Sequence, residues 1–300
     1  MNWRIKGVVQ KSLAALPSGI AINDLLQRTI GGLRNFDQNV AGKINSDWVV
    51  FAGHLRELGR SPRGLRFMEI GTGWYPTLPI CWHLAGAAEV VTFDLSRHLN
   101  RRLTKRMLAA LEAHLPTIAA AAGRAETDVY AAWRTLRVDE LPIDYRAPAD
   151  ATMSQLPDNS VDIVFSNSVL EHVPRPVIAA MMRESYRVLR PGGLSIHSVN
   201  CGDHYAYFDK RITPINYLTI LEKDWQFWNN DLQYQNRMRP QDFTDLSEAT
   251  GLKTVFAKHK ARPALLEKLS TLVIAPEFQK YPPEQLCCTS IDFASQKPTA

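Results

Sequence analysis

The stretch Leu65-Arg66-Phe67-Met68-Glu69-Ile70-Gly71-Thr72-Gly73-Trp74-Tyr75-Pro76 decides how the rest of the 300-residue chain is read. An apolar run ends near an acidic residue, passes two glycines spaced by one, and leads into a helical pattern. That order predicts a buried strand, a tight turn and a helix N-terminus. Glycines there let the backbone approach a ligand closely, and the helix end offers free N–H groups and partial positive charge. Next outward, Glu89-Val90-Val91-Thr92-Phe93-Asp94 predicts a second buried strand ending in a carboxylate, which suits both hydroxyls of a ribose. The pair points to a nucleoside ligand. A dinucleotide turn wants a third glycine near position 76, where this chain has Trp74, Tyr75 and Pro76. The crowded loop therefore favours a nucleoside without phosphates. A plainer reading makes Gly71 and Gly73 simple turn residues and Asp94 the cap of the following helix.

Before this stretch, residues 3–60 carry apolar side chains at helical spacing, with helices expected near 3–16, 23–33 and 47–58. Pro62 and Gly64 end that run. After it come a helical span over 99–138 broken near Gly123 and a short strand over 143–147. A turn over 156–160, a buried strand over 161–165 and a helix over 176–190 follow. Pro191-Gly192-Gly193 reads as a turn before a fifth strand at 194–199. Strands alternating with helices predict a mostly parallel sheet covered on both faces, with ligands at the carboxyl ends of its strands. Those ends collect the polar residues: Glu69 to Trp74, Asp94, Asp150-Ala151, Asn167 to Glu171, and Asn200 to His204. From 201 to 238 aromatics crowd in and the alternation lapses. A helix over 241–250 and strands at 252–257 and 270–275 are then expected to close the sheet, leaving 281–300 as a tail.

Composition is that of an ordinary soluble globular chain, large enough for one α/β domain with additions or for two small domains. The net charge of +5 leans on the segment 97–106, with Arg101, Arg102, Lys105 and Arg106. Without interleaved aromatics it reads as a solvated helix face rather than a nucleic-acid patch. Cys81, Cys201, Cys287 and Cys288 lack paired metal spacing, and adjacent cysteines make a poor disulfide, so a reducing compartment is expected. Basic residues interrupt the first apolar residues, and no apolar run approaches spanning length, so a cytoplasmic protein without a membrane partner is expected.

In this order the motifs resemble the class I S-adenosylmethionine-dependent methyltransferases, of the type 11-like domain. The pieces are Glu69-Ile70-Gly71-Thr72-Gly73, Asp94, Asp150-Ala151 with 156–164, Val169-Leu170-Glu171-His172-Val173, and Val188-Leu189-Arg190-Pro191-Gly192-Gly193-Leu194. The resemblance covers roughly residues 62–275, less the aromatic segment. It implies a Rossmann-like doubly wound α/β sheet, mostly parallel, with a terminal antiparallel strand, N-terminal helices and an aromatic-rich cap insertion. The expected organisation is a helical extension over 1–61, a methyltransferase domain over 62–280 with an acceptor cap at 200–239, and the tail. The implied cofactor is S-adenosyl-L-methionine. Gly71, Thr72 and Gly73 would pass under its methionine part, with Glu69 anchoring the loop and the amino group. Asp94 would hold the ribose, Asp150 and Ala151 would meet the adenine edge, and Asn167 with Ser168 would line the floor near the sulfonium. Trp74-Tyr75-Pro76 departs from the family's small third residue.

Methyl transfer from a sulfonium mainly requires alignment and exclusion of water, and a hydroxyl acceptor also needs a base. His204 is the expected base, with Asp203, Asp209 or a more distant acid as its orienter; the plain alternative is a surface-loop histidine. Glu171-His172 reads as a structural pair. Tyr205, Tyr207, Trp225, Tyr234, Arg237, Met238 and Arg239 are expected around the acceptor. The two arginines suit a carboxylate or phosphate, and aromatic faces suit a cationic product. No acidic cluster suits Mg²⁺, so no metal is expected, and Asn167-Ser168-Val169-Leu170 is not the signature of base methylation. The favoured function is O-methylation of a small sugar or secondary metabolite. Its rivals are S- or N-methylation of an amino-acid-like acceptor such as methionine, a non-catalytic cofactor-binding partner protein and, more distantly, a nicotinamide dehydrogenase. A homodimer is compatible with the sequence, which leaves the oligomeric state open.

Overall fold

The computed structural model describes residues 2–14, 35–230 and 232–299. The expected helix over 23–33 lies outside the described residues. Among the described residues seven strands form one sheet: β1 (Arg66–Ile70), β2 (Glu89–Phe93), β3 (Asp144–Arg146), β4 (Val161–Asn167), β5 (Leu189–Asn200), β6 (Lys253–Lys258) and β7 (Ser290–Gln296). Their order is β3-β2-β1-β4-β5-β7-β6. The pairs β1–β2, β1–β4 and β2–β3 are parallel. β7 runs antiparallel to β5, because Gly192 bonds Lys297 at one end while Cys201 bonds Thr289 at the other. This is the doubly wound, mostly parallel architecture with one terminal antiparallel strand.

By its contacts the chain divides into two compact bodies. The first comprises Asn35–Asn167, Ala180–Ile196 and the chain end from Gln296; the second comprises Ser168–Ala179 and His197–Ser295 with the N-terminal helix. The first body is built on an aromatic hub. Phe67 of β1 stacks on Trp82 at 4.5 Å between ring centroids, and Trp48 meets Trp82 edge-on at 4.7 Å. Phe165 of β4 completes the group against both Phe67 and Trp82. All four are buried, and burying each such ring contributes about 1.5–3 kcal/mol. That is why β1, flanked by neighbours on both edges and covered on its faces, is mostly apolar, with Glu69 its one buried acid. Trp82 lies on α4 (Thr77–Leu84), and Trp48 closes a wide helical turn, Lys43–Trp48, between α2 (Phe36–Gly42) and α3 (Val49–Glu57). The second body has its own apolar cluster, in which Trp3 of α1 (Trp3–Ala14) joins Tyr205, Tyr217 and Trp225.

Three expectations about elements are corrected. Residues 270–275 form no strand; the helix Pro263–Leu269 runs into turns there, and the chain's last strand is β7, which lies between β5 and the edge strand β6. Residues 281–300 therefore hold a helical turn and a strand flanked on both edges rather than a simple tail. Ser290-Ile291-Asp292-Phe293-Ala294 alternates only weakly, because Ile291, Phe293 and Ala294 are all fully buried in the sheet interior. Pro191-Gly192-Gly193 is not a turn but part of β5, held there because Gly192 and Gly193 exchange backbone bonds with Lys297 at the chain's end.

Candidate active site

In the first body the turn after β1 and the end of β2 lock together. Gly71 and Gly73 have φ of 80° and 74°, backbone that costs a side-chain-bearing residue about 1 kcal/mol or more. Gly71 N–H donates to the Phe93 carbonyl at 2.8 Å. The Asp94 carboxylate then accepts from Thr72 N–H at 3.1 Å and from Gly73 N–H at 3.2 Å. Asp94 does not cap the next helix; Asn100 does so, accepting from Leu103 N–H at 3.0 Å at the start of α5 (Arg101–Ala110). Burial raises the Asp94 carboxyl, with His98, Tyr145 and the two loop N–H groups acting against it. A Cβ placed on Gly73 would meet only open space. A cavity of about 470 Å³ adjoins it, lined by Gln38, Asn39, Lys43, Thr72, Gly73 and Tyr75.

Glu69 is buried and accepts from the Thr92 hydroxyl at 2.9 Å. Burial pushes its carboxyl up to about 8, with the Thr92 bond and Lys43 acting the other way. A buried acid of this kind is suited to a ligand ammonium. Asp150 accepts from Thr152 N–H at 2.8 Å, and Ala149 N–H donates to the Asp94 carbonyl at 2.8 Å, which fastens the Asp150-Ala151 segment beside Asp94. Ala151 is buried, whereas Leu95 and Met153 are each 70% exposed, two bare apolar side chains flanking this polar region. Asn167 ends β4 and donates to Asp47 at 2.8 Å. The first body thus gathers Glu69, Gly71, Thr72, Gly73, Asp94, Asp150, Ala151 and Asn167 at strand ends. Lys43, Gln38 and Asn39 escaped the sequence reading because helical spacing there signals packing, not a cavity wall.

In the second body Ser168, at φ 54°, lines a cavity of about 360 Å³ with Asn200, Asp203, Tyr207, Lys210 and Arg262. His204 is buried, not a surface histidine, and burial pushes its imidazole down to about 4, with His172 and Lys6 adding to the effect. It is therefore neutral at physiological pH, and among the described residues its Nε2 has no hydrogen-bond partner. Of the acids expected as its orienter, Asp203 and Asp209 are engaged elsewhere, which leaves a more distant one. Asp203 caps the short turn His204–Tyr207, accepting from Tyr205 N–H at 2.8 Å. Asp209 is engaged by Trp3 N–H and by Arg211. The acid beside His204 is Glu171, whose side chain is buried with Oε2 unpartnered among the described residues and whose carboxyl burial pushes up to about 8.

Most of the expected acceptor residues serve the interior of the second body. Arg239 is fully buried and donates to the carbonyls of Cys201, Gln285 and Cys288 and to the Tyr217 hydroxyl. Arg237 donates to the carbonyls of Tyr217 and Ile220 and pairs with Glu222 and Glu277. Trp225 and Tyr205 belong to the apolar cluster, and Met238 is buried. Tyr234 contributes its carbonyl to His172, and only Tyr207 lines the cavity. The arginines were misplaced because a sequence shows a guanidinium's charge but not the carbonyls that consume it. Arg239→Ala leaves those acceptors orphaned in the interior and should cost about 3–5 kcal/mol. Urea denaturation measures this, and a loss below ~1 kcal/mol would contradict the structural role.

Residues 68–197 match the family described as "Methyltransferase domain". Comparison with curated proteins finds no match. Among solved structures the chain is similar to the geranyl diphosphate C-methyltransferase of Streptomyces coelicolor A3(2), at 12% identity over 90% of this chain and 86% of that one, with a TM-score of 0.48. It is similar to an S-adenosylmethionine-dependent methyltransferase of Mesorhizobium loti, at 15% identity over 84% and 99%, TM-score 0.44. It is equally similar to the [4+2]-cyclase SpnF, at 15% identity over 84% and 82%, TM-score 0.44. Likeness this distant carries no information about the reaction.

Proposed function

Because residues 68–197 form a class I methyltransferase domain, we propose that this chain transfers a methyl group from S-adenosyl-L-methionine to a hydroxyl of a small metabolite, a sugar or secondary metabolite. The observation that carries the reading is the grip of the Asp94 carboxylate on Thr72 and Gly73 beside a cavity that Gly73 leaves open. Two carboxylate oxygens offer about four acceptor sites; the loop uses two and the Tyr145 hydroxyl engages a third, which a ribose diol would share or displace. Glu69 and Lys43 supply the opposite charges that the ammonium and carboxylate of a methionine moiety require. The cofactor itself supplies the electrophilic methyl and its thioether leaving group.

The acceptor half of the reading rests on the second body. Its 360 Å³ cavity has the size of a small-molecule pocket, and Asp203, Tyr207 and Lys210 give it polar handles. The neutral His204 with Glu171 is the cluster able to take up a hydroxyl proton. Internal engagement of Arg237 and Arg239 removes the support for an amino-acid carboxylate, so S- or N-methylation of such an acceptor ranks lower. Among the described residues no helix is long and apolar enough to cross a membrane. Four free, buried cysteines support a reducing compartment such as the cytoplasm.

The test is incubation with methyl-labelled cofactor and a metabolite extract, followed by mass spectrometry. A labelled ether supports the reading, a labelled thioether or amine moves it to the lesser alternative, and cofactor binding without any labelled product leaves a non-catalytic binding protein. A further expectation concerns protons. The folded pKa of Glu69 lies above its unfolded value, so its contribution to stability is fully present below about 4.5 and is lost as pH rises through about 8. A ligand ammonium reverses that preference. Binding of S-adenosylhomocysteine at pH 7 should then release about one proton, read by calorimetry in buffers of different ionisation enthalpy. Glu69→Gln should release none; unchanged release would remove Glu69 from the ammonium site.

A further inference from the structure

Glu171, His172 and His204 present ligand-type atoms that all lie within 4.8 Å of one another. We propose that these three side chains bind a divalent zinc ion, with a fourth coordination position left open. Two imidazoles and one carboxylate form a donor set that suits Zn²⁺ and leaves room for water or an acceptor oxygen. Two of the three donors are buried and, among the described residues, unused: Glu171 Oε2 and His204 Nε2 have no hydrogen-bond partner there, and their residues are 1% and 8% exposed. Two buried polar atoms left without partners in one cluster are costly unless something accepts their lone pairs.

The third donor is set by its outer contact. His172 Nδ1 donates to the Tyr234 carbonyl at 2.8 Å, so in the neutral ring Nε2 carries the free lone pair. The three consecutive residues after Gln233 each fasten one ligand. Tyr234 holds His172, and the Gln235 side chain accepts from His204 N–H at 3.1 Å. Asn236 N–H donates to the Glu171 carbonyl at 2.8 Å, while its side chain donates to the carbonyls of Leu170 and Val173. Backbone N–H groups of Glu171 and Asn200 hold the carboxylate itself. Ligands around tetrahedral zinc stand about 3.3–3.4 Å apart, so closing this triad takes side-chain rotations of about 1 Å. The sequence hides the site because its ligands come from two distant turns and form no acidic cluster.

The assignment goes beyond the methyltransferase reading and does not depend on it. With zinc bound, His204 would serve a hydroxyl acceptor through the metal rather than by direct proton capture. The full-length protein, stripped with EDTA and desalted, is titrated with zinc chloride against a chromogenic zinc indicator. One equivalent should bind, and Co²⁺ in its place should give the visible absorption of a tetrahedral site. Glu171→Gln and His204→Ala should each weaken zinc binding by more than about 100-fold. Binding too weak to compete with the indicator, or wild-type affinity in both variants, overturns the proposal. Glu171→Gln is nearly isosteric and keeps the test decisive if His204→Ala misfolds. S-adenosylhomocysteine binding is measured on the same samples: its absence with zinc intact sinks only the methyltransferase reading, and the reverse sinks only this one.

Discussion

Replacing Asp94 with Ala should lower affinity for S-adenosylhomocysteine by at least about 100-fold. Each hydrogen bond to a charged acceptor is worth about 1.5–3 kcal/mol, and in the proposed complex the carboxylate accepts two from the ribose. The variant also frees Thr72 and Gly73 N–H, which Asp94 holds at 3.1 and 3.2 Å, so the glycine turn loses its fixed shape. Asp94→Asn separates the two effects. An amide can still accept from one loop N–H and from a hydroxyl, so it should retain the turn while losing the charge. It should fall between wild type and Ala. Calorimetry reads both, and an Asp94→Ala protein that binds within about three-fold of wild type would end the cofactor assignment.

His204→Ala should cut methyl transfer to a hydroxyl acceptor by about 10²–10⁴ while leaving cofactor affinity within about two-fold. The imidazole belongs to the second body and the glycine turn to the first, so cofactor binding and turnover should separate cleanly. The loss should appear in kcat more than in KM, because the group acts on the proton rather than on ground-state binding. The loss is the same whether Nε2 takes the proton or holds zinc, and restoration by added metal in Glu171→Gln would favour the latter. Full turnover in His204→Ala would remove it from the chemistry. It would also point to a thioether or amine acceptor, which needs no base.

The glycine turn, Asp94 and the first four strands were legible because local rules govern them. A buried strand must be apolar, a turn at positive φ must be glycine, and an acid ending the next strand stands beside that turn whenever the two strands pair. The end of the sheet was not legible. Ser270 to Ala275 and Ser290 to Gln296 are comparably strand-like in composition, and pairing of Lys297 with Gly192 and Gly193 decides between them.

The acceptor side was least legible. Arg237 and Arg239 carry charge in a segment rich in aromatics, which reads as a binding surface until the carbonyls around them are seen. Glu171 and His172 look like a structural pair in the sequence, because the residues that give them a role, His204 and the run Tyr234 to Asn236, come from later in the chain.

By itself, then, the sequence determined the doubly wound sheet, the glycine turn and the acid that faces it, because strand burial, turn geometry and short crossings are written in neighbouring residues. Only the tertiary structure decided which strand runs antiparallel, which polar side chains are consumed inside, and which buried lone pairs stay free. Those depend on what distant segments bring to each donor and acceptor, and a buried polar group acquires its role from whatever satisfies it.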